Sequence, residues 1–336
     1  MCLESTRRER SGKNGRGRSW LIPVFGYAVS IVCLIWVYRG FDWHGELPKL
    51  RATHWGWVTL AVVADIFVYV CQGWRWAVLL SPLTRVSPWK TAQAIYIGLF
   101  ANEILPLRSG EVIRCYLQRR WTGLPLSVVF SSAAIERLLD GVWLIIGFRV
   151  MSEFVELPNW IENVGRVLLY VILLAGALVV ASMVFRRHAH DMVATTPWGR
   201  TLQSIWDGVY AMGRSRSFLW AALLSLLYLA LQVLPIYFLM RGYGLAVPGW
   251  AAGVVLVILR TGTILPNAPG NVGTFQALTI AGLSLFGLTR ADATGFATFL
   301  FLVVTVPLLL GGFVALLATR MRLTEIHRDA HDTFGQ

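Results

Sequence analysis

The feature that most constrains this sequence is a succession of apolar runs long enough to cross a lipid bilayer. A hydrocarbon core about 30 Å thick needs about 20 helical residues to span it. Runs of that kind occupy residues 20–38, 54–80, 125–150, 164–185, 218–240 and 290–319. Inside a membrane every backbone polar group must be satisfied by the spanning element itself, and unbroken apolar runs do this as helices rather than as a barrel. The expected fold is therefore all-α, a polytopic helical membrane protein with about six full spans. A chain of 336 residues that is 56% hydrophobic and 14% charged, with a mean hydropathy of +0.60, fits that class.

Two segments break the pattern in the same way. ILPLRSGEV at 104–112 and ILPNAPGNV at 264–272 both read Ile-Leu-Pro, three residues, then Gly-x-Val, at an offset of 160 residues. One lies between the second and third spans, the other between the fifth and sixth. In the first segment, 88–120, the leading piece has roughly 17 residues and reaches about 25 Å, and the return piece holds Glu111, Arg114, Arg119 and Arg120. Lipid does not accept such a full span, so a re-entrant hairpin surrounded by protein is the reading adopted, against two short spans joined by a loop. For the second segment, 250–288, the two readings stand level, because Arg260 is its only charge.

Charge sets the orientation. The arm 1–19, the turn around Arg85 and Lys90, the connector 186–216 and the start of the tail at Arg320 and Arg322 are basic, whereas Glu153, Glu156 and Glu162 mark the loop 151–163 as outer. Both termini are expected in the cytoplasm of a multi-pass inner-membrane protein, the run 20–38 being a retained helix and not a cleaved signal. Residues 20–150 and 164–319 then form two membrane repeats of opposite topology. Inverted repeats with broken helices place a substrate site near the midplane, which favours transport over catalysis. Residues 193–217, with Trp198, Ile205, Trp206 and Val209, either lie along the cytoplasmic surface or form a solvated connector. The net charge of +12 is concentrated beside the spans, where anionic lipid and topology explain it, so nucleic acid is not an expected partner. Cys2, Cys33, Cys71 and Cys115 have no metal-ligand or disulfide spacing, and no cofactor motif is present. Interfacial anchoring accounts for the tryptophans.

The candidate site residues cluster at the breaks. Arg108, Glu111 and Arg114, with Asn102 on the opposite arm, offer two guanidiniums and freed backbone N–H groups to a phosphate, or else neutralise one another to hold the hairpin. Glu136, Arg137 and Asp140 lie about 17 Å into the third span. They read as a charge network lining a polar path in preference to an acid–base pair. Arg260 is a second phosphate contact, or a partner of Asp65 or Asp140. Asn267 and Asn271 place amides in the second break. Arg75, near a span end, reads as a side chain that snorkels to the headgroups.

Asn102, Pro106, Arg108, Gly110, Glu111 and Arg114, then Glu136, Arg137 and Asp140, then Pro269, Gly270 and Gly273 resemble the motifs of the transmembrane family named after lysylphosphatidylglycerol synthase, also called flippase-like. The match runs from about the second span to the last. The resemblance implies a membrane region that translocates an aminoacylated phospholipid made by a separate soluble domain. No such domain is read here, so aminoacyl transfer is not expected. Standalone relatives imply hopanoid, isoprenoid or glycolipid pathways. Asn271 and Gln276 depart from the family's usual glycine and glutamate. The expected function is transport of an anionic or phosphate-bearing lipid, whether a phospholipid or a polyprenyl or hopanoid-type lipid. A membrane-embedded transferase and a noncatalytic component of lipid synthesis are the alternatives.

Overall fold

The fold is that of a computed structural model describing residues 21–105, 109–156, 159–184, 197–263 and 269–319. Every regular element among them is helical. The first half contains α1 (Leu21–Tyr38), α2 (Trp43–Ala52), α3 (Trp55–Leu80), α4 (Pro88–Ile104), α5 (Gly110–Thr122) and α6 (Leu126–Ser152). The second contains α7 (Asn159–Val184), α8 (Pro197–Gly213), α9 (Arg216–Tyr243), α10 (Ala251–Gly262), α11 (Thr274–Ser284) and α12 (Arg290–Thr319). The basic arm, the tail and the hearts of both breaks, 106–108 and 264–268, lie outside the described residues.

Helices α3, α7, α9 and α12 are long and apolar enough to cross a membrane by length and composition. α6 matches them in length, at 27 residues, but carries Glu136, Arg137 and Asp140. α7 leaves Val167, Leu174 and Leu178 exposed, which is tolerable only where lipid replaces water.

Packing begins from α3 and α9. His54 N–H donates to Gly242 O at 3.0 Å at one end, and Ser81 and Ser217 hydroxyls meet at 2.8 Å at the other, so the two helices run antiparallel along their whole lengths. The helices that follow each of them correspond in order: α4 with α10, α5 with α11, α6 with α12. Each leading arm also packs on the last helix of the opposite half, α4 on α12 and α10 on α6. Tyr96 and Phe100 of α4, for example, sit over Gly311 and Gly312 of α12.

The four arms at the breaks are short, at 17, 13, 12 and 11 residues. At 1.5 Å per residue none reaches more than about 26 Å, short of a 30 Å core. Within each pair the arms are antiparallel. Gly98 faces Gly110 in the first, while Gly262 faces Leu278 and Gly282 faces Val255 in the second. The first closure is tight: a Cβ at Gly110 would stand 1.8 Å from Gly98 O, so only glycine lets these backbones approach.

Apolar burial divides into two main cores. Ala61, Leu239, Val255, Leu283, Phe296 and Leu300 fill the one around α10 to α12. Leu79, Ile95, Ile97, Ile113, Leu117 and Val129 fill the one around α4 to α6. The segment 193–217 is not a solvated connector over its described part: α8 buries Val209 and Met212 and lays Gly208 over Val128 of α6. Its amphipathic pattern is what makes this one-sided docking favourable.

Helix α2 has no counterpart in the sequence reading. Asp42 caps it, accepting from His44 N at 3.0 Å. Lys49 bridges Glu46 and Asp292, both at 2.7 Å, and Tyr243 donates to Glu46 Oε2 at 2.6 Å. α2 is thereby tied to the ends of α9 and α12.

Candidate functional site

Where α3, α5, α6 and α9 converge, the sequence brings three arginines and three carboxylates into one network. Arg75 on α3 is fully buried, and its Nε and Nη2 donate to Glu136 Oε1 at 3.2 and 3.0 Å. Its Nη1 pairs with Asp140 and donates to Ser225 Oγ at 3.1 Å. Arg114 on α5 donates to the other Glu136 oxygen at 3.1 Å and to Glu111 at 2.9 Å. Arg137 closes the ring from α6, 2.6 Å from Glu111 and 3.5 Å from Asp140. Glu136, 1% exposed, thus has an arginine on each oxygen.

This corrects one expectation and favours one of the two readings of Arg114. Arg75 does not snorkel; it is the centre of the network, because Glu136 and Asp140, four residues apart on α6, turn the same face toward it. Arg114 is held by Glu111 and Glu136, so a phosphate would have to displace a carboxylate to reach it. Three positive and three negative side chains cancel, and the pairing restrains groups that apolar protein could not otherwise hold.

Aromatic rings frame the network. The Arg75 guanidinium lies 4.8 Å from the centre of the Tyr228 ring, and that of Arg114 lies 4.8 Å from the Trp76 ring. Trp76 is fully buried and donates to Ser132 Oγ at 2.9 Å, so it is not an interfacial anchor. Tyr228, Trp76, Ser225 and Ser132 escape sequence reasoning. Their helical spacing is that of ordinary core, and only the position of Arg75 singles them out.

At the first break Asn102 Oδ1 accepts from Gly110 N at 2.8 Å, so the first N–H of α5 is already satisfied. The recess between the arms has about 180 Å³ including its open mouth and is lined by Gln72, Asn102, Glu111, Arg114 and Arg137. That is less than the roughly 300 Å³ or more of a small-molecule pocket. At the second break Gln276 plays the part of Asn102, accepting from Gly273 N at 2.7 Å. Asn271 adopts a left-handed φ of 52°, tolerable for asparagine. Arg108 and Asn267 lie outside the described residues.

The two breaks meet. A Cβ on Gly270 would come within 2.6 Å of Glu103 Oε2, which places the end of α4 directly against the second break. Close by, Arg260 of α10 is only partly buried, and its Nη2 faces the Tyr228 hydroxyl at 3.5 Å. Among the described residues no carboxylate oxygen lies within 4.0 Å of it. Its pairing with Asp140 does not occur, since Asp140 is taken by Arg75 and Arg137. Asp65 makes no ion-pair contact with Arg260 either. Tyr228 therefore touches both charged regions, with its ring under Arg75 and its hydroxyl toward Arg260.

Comparisons with known proteins agree with this architecture. A UPF0104 membrane protein of Methanothermobacter thermautotrophicus is 24% identical over 280 residues, covering 76% of this chain and 81% of the relative. A UPF0104 membrane protein of Methanocaldococcus jannaschii is 22% identical over 287 residues, covering 78% and 84%. No solved structure matches the chain. The family model described as the lysylphosphatidylglycerol synthase TM region matches residues 24–312, from α1 into α12, and the chain belongs to that family.

Proposed function

We propose that this protein moves a lipid with an anionic, phosphate-bearing headgroup across the inner membrane, with both termini in the cytoplasm. Arg260 carries the reading. An arginine inside a membrane bundle is costly unless paired or functional, and Arg260 is the described intramembrane arginine that has no carboxylate contact. A planar guanidinium suits two phosphate oxygens at once. Its position at a broken helix, beside the meeting point of the two breaks, fits the midplane sites of transporters built from inverted repeats. Arg108 is a second headgroup contact, and Asn267 and Asn271 supply amides from the outer break. The network around Arg75 then serves as the rigid wall of the path. A transferase using Glu136 or Asp140 as a base is less favoured, because arginines occupy both carboxylates.

The test is lipid movement in reconstituted vesicles carrying fluorescent phosphatidylglycerol, read by quenching of the outer leaflet. Arg260→Gln should lower the rate tenfold or more, the loss that follows from a charged hydrogen bond worth about 1.5–3 kcal/mol. Arg260→Lys should keep part of it. A Gln variant that is folded and as fast as the parent refutes the assignment.

A further inference from the structure

Gln72 of α3 is 3% exposed and lies three residues from Arg75, yet among the described residues its side-chain amide makes no hydrogen bond. Burying a polar group without a partner is costly, so an amide left this way needs an explanation. The amide of Gln118 is also unpartnered, but it is sealed off completely. Both amide atoms of Gln72 still reach open space, and the open space that Gln72 borders is the recess between α4 and α5.

The other polar groups on that recess have capacity to spare. Gly110 N–H holds Asn102 Oδ1 at 2.8 Å, which fixes the amide and leaves its NH2 as a donor with no partner among the described residues. Glu111 accepts from Arg114 on one oxygen and from Arg137 on the other, but its side chain is 36% exposed and a carboxylate has about four acceptor sites. Ile95 and Leu99 of α4 supply an apolar wall.

This mixture sorts the chemistries that could enter. A second phosphate would meet the Glu111 carboxylate. An ammonium would meet two guanidiniums and the NH2 of Asn102. A hydroxyl is neutral and is both donor and acceptor, so it can donate to Glu111 or Gln72 Oε1 while it accepts from Asn102 or Gln72 Nε2. With about 180 Å³ including its mouth, the recess has room for an alcohol and the carbons that bear it, but not for a whole lipid headgroup.

We propose that this recess is a hydroxyl-reading subsite, and that the transported lipid carries a small alcohol such as glycerol beyond its phosphate. The proposal rests on the reading of Arg260 as the phosphate contact. Asn102 on the recess wall directly precedes Glu103, which touches Gly270, so the recess lies beside the meeting point of the two breaks. Gln72 is the specificity-determining residue. A headgroup hydroxyl completes its hydrogen bonds, whereas an analogue without the hydroxyl leaves them unmade, and sites built this way reject such analogues strongly.

The experiment compares two fluorescent lipids in vesicles reconstituted with the full-length protein, phosphatidylglycerol and phosphatidylpropanol. They carry the same charge and differ in the headgroup hydroxyls. The parent should move phosphatidylglycerol about tenfold faster or more. Gln72→Met keeps the volume of the side chain and should bring the phosphatidylglycerol rate down to that of phosphatidylpropanol. A parent that moves both lipids equally fast overturns the proposal without recourse to any variant. A Gln72→Met variant that melts with the parent and keeps its preference, or that slows both lipids alike, overturns the assignment to Gln72. Arg260→Gln moving both lipids as fast as the parent, or a parent that moves neither, instead brings down the headgroup reading, and the subsite falls with it.

Discussion

Replacing Arg75 with methionine tests the central network most directly, because it keeps the volume of the side chain and deletes its charge. In the parent, three arginines oppose three carboxylates. Without Arg75 the buried assembly carries one excess negative charge. Glu136 keeps only Arg114, and Asp140 keeps only the 3.5 Å contact to Arg137. Breaking a buried pair by removing one partner costs about 3–5 kcal/mol. A headgroup-snorkelling arginine would cost below about 1 kcal/mol. The double variant Arg75→Met/Glu136→Gln restores neutrality, leaving Arg114 with Glu111 and Arg137 with Asp140. It should recover about 1–3 kcal/mol relative to additivity. The assay is thermal unfolding in detergent followed by a thiol-reactive dye, since Cys71 and Cys115 are buried and become available on unfolding. An Arg75→Met variant that melts with the parent, or a double variant that is merely the sum of its parts, refutes the network as described.

Three further outcomes follow from packing and charge. Gly110→Ala should prevent the first hairpin from closing, since its methyl would meet Gly98 O at 1.8 Å; a loss of about 1–3 kcal/mol or more is expected in the same melt. Trp76→Phe removes the hydrogen bond to Ser132 and weakens the stacking under Arg114, for about 1–2 kcal/mol, and Ser132→Ala in the Phe background should add little. Where α2 meets α9 and α12, hydrogen bonds from Lys49 to Asp292 and then to Glu46 raise the Lys49 ammonium above the ordinary lysine value. The latch is therefore fully present below about pH 10.5 and weakens as pH climbs beyond that through the raised value. Lys49 is largely solvated, so the step is small; melts between pH 8 and 11.5 should show it in the parent and not in Lys49→Met.

Much of the architecture is legible in the sequence because bilayer thickness leaves few choices for long apolar runs. The ends of α3, α6, α9 and α12 fall within a few residues of the positions that hydropathy assigns. The breaks at 104–112 and 264–272 are equally visible, since proline and glycine carry their own geometry. What hydropathy does not carry is which charge meets which. Arg75 lies near a helix end, and only the antiparallel packing of α3 against α9, with α6 beside them, turns it inward. Arg260 illustrates the converse. Its place in an apolar segment is plain, but its lack of an ion pair among the described residues is not, since that depends on Arg75 and Arg137 having taken Asp140. Helix α2 is not legible in the sequence because ten residues of mixed polarity have no distinguishing period, and its anchor Asp292 is 243 positions away from Lys49.

Tyr228 lies on the seam between one region held by many polar contacts and another held by one. On one side, its ring rests against Arg75, which is fixed by carboxylates from α6 and by Ser225. On the other, its hydroxyl touches Arg260 through a single long contact of 3.5 Å. If α10 and α11 shift, that contact breaks first and the stack beneath Arg75 stays whole.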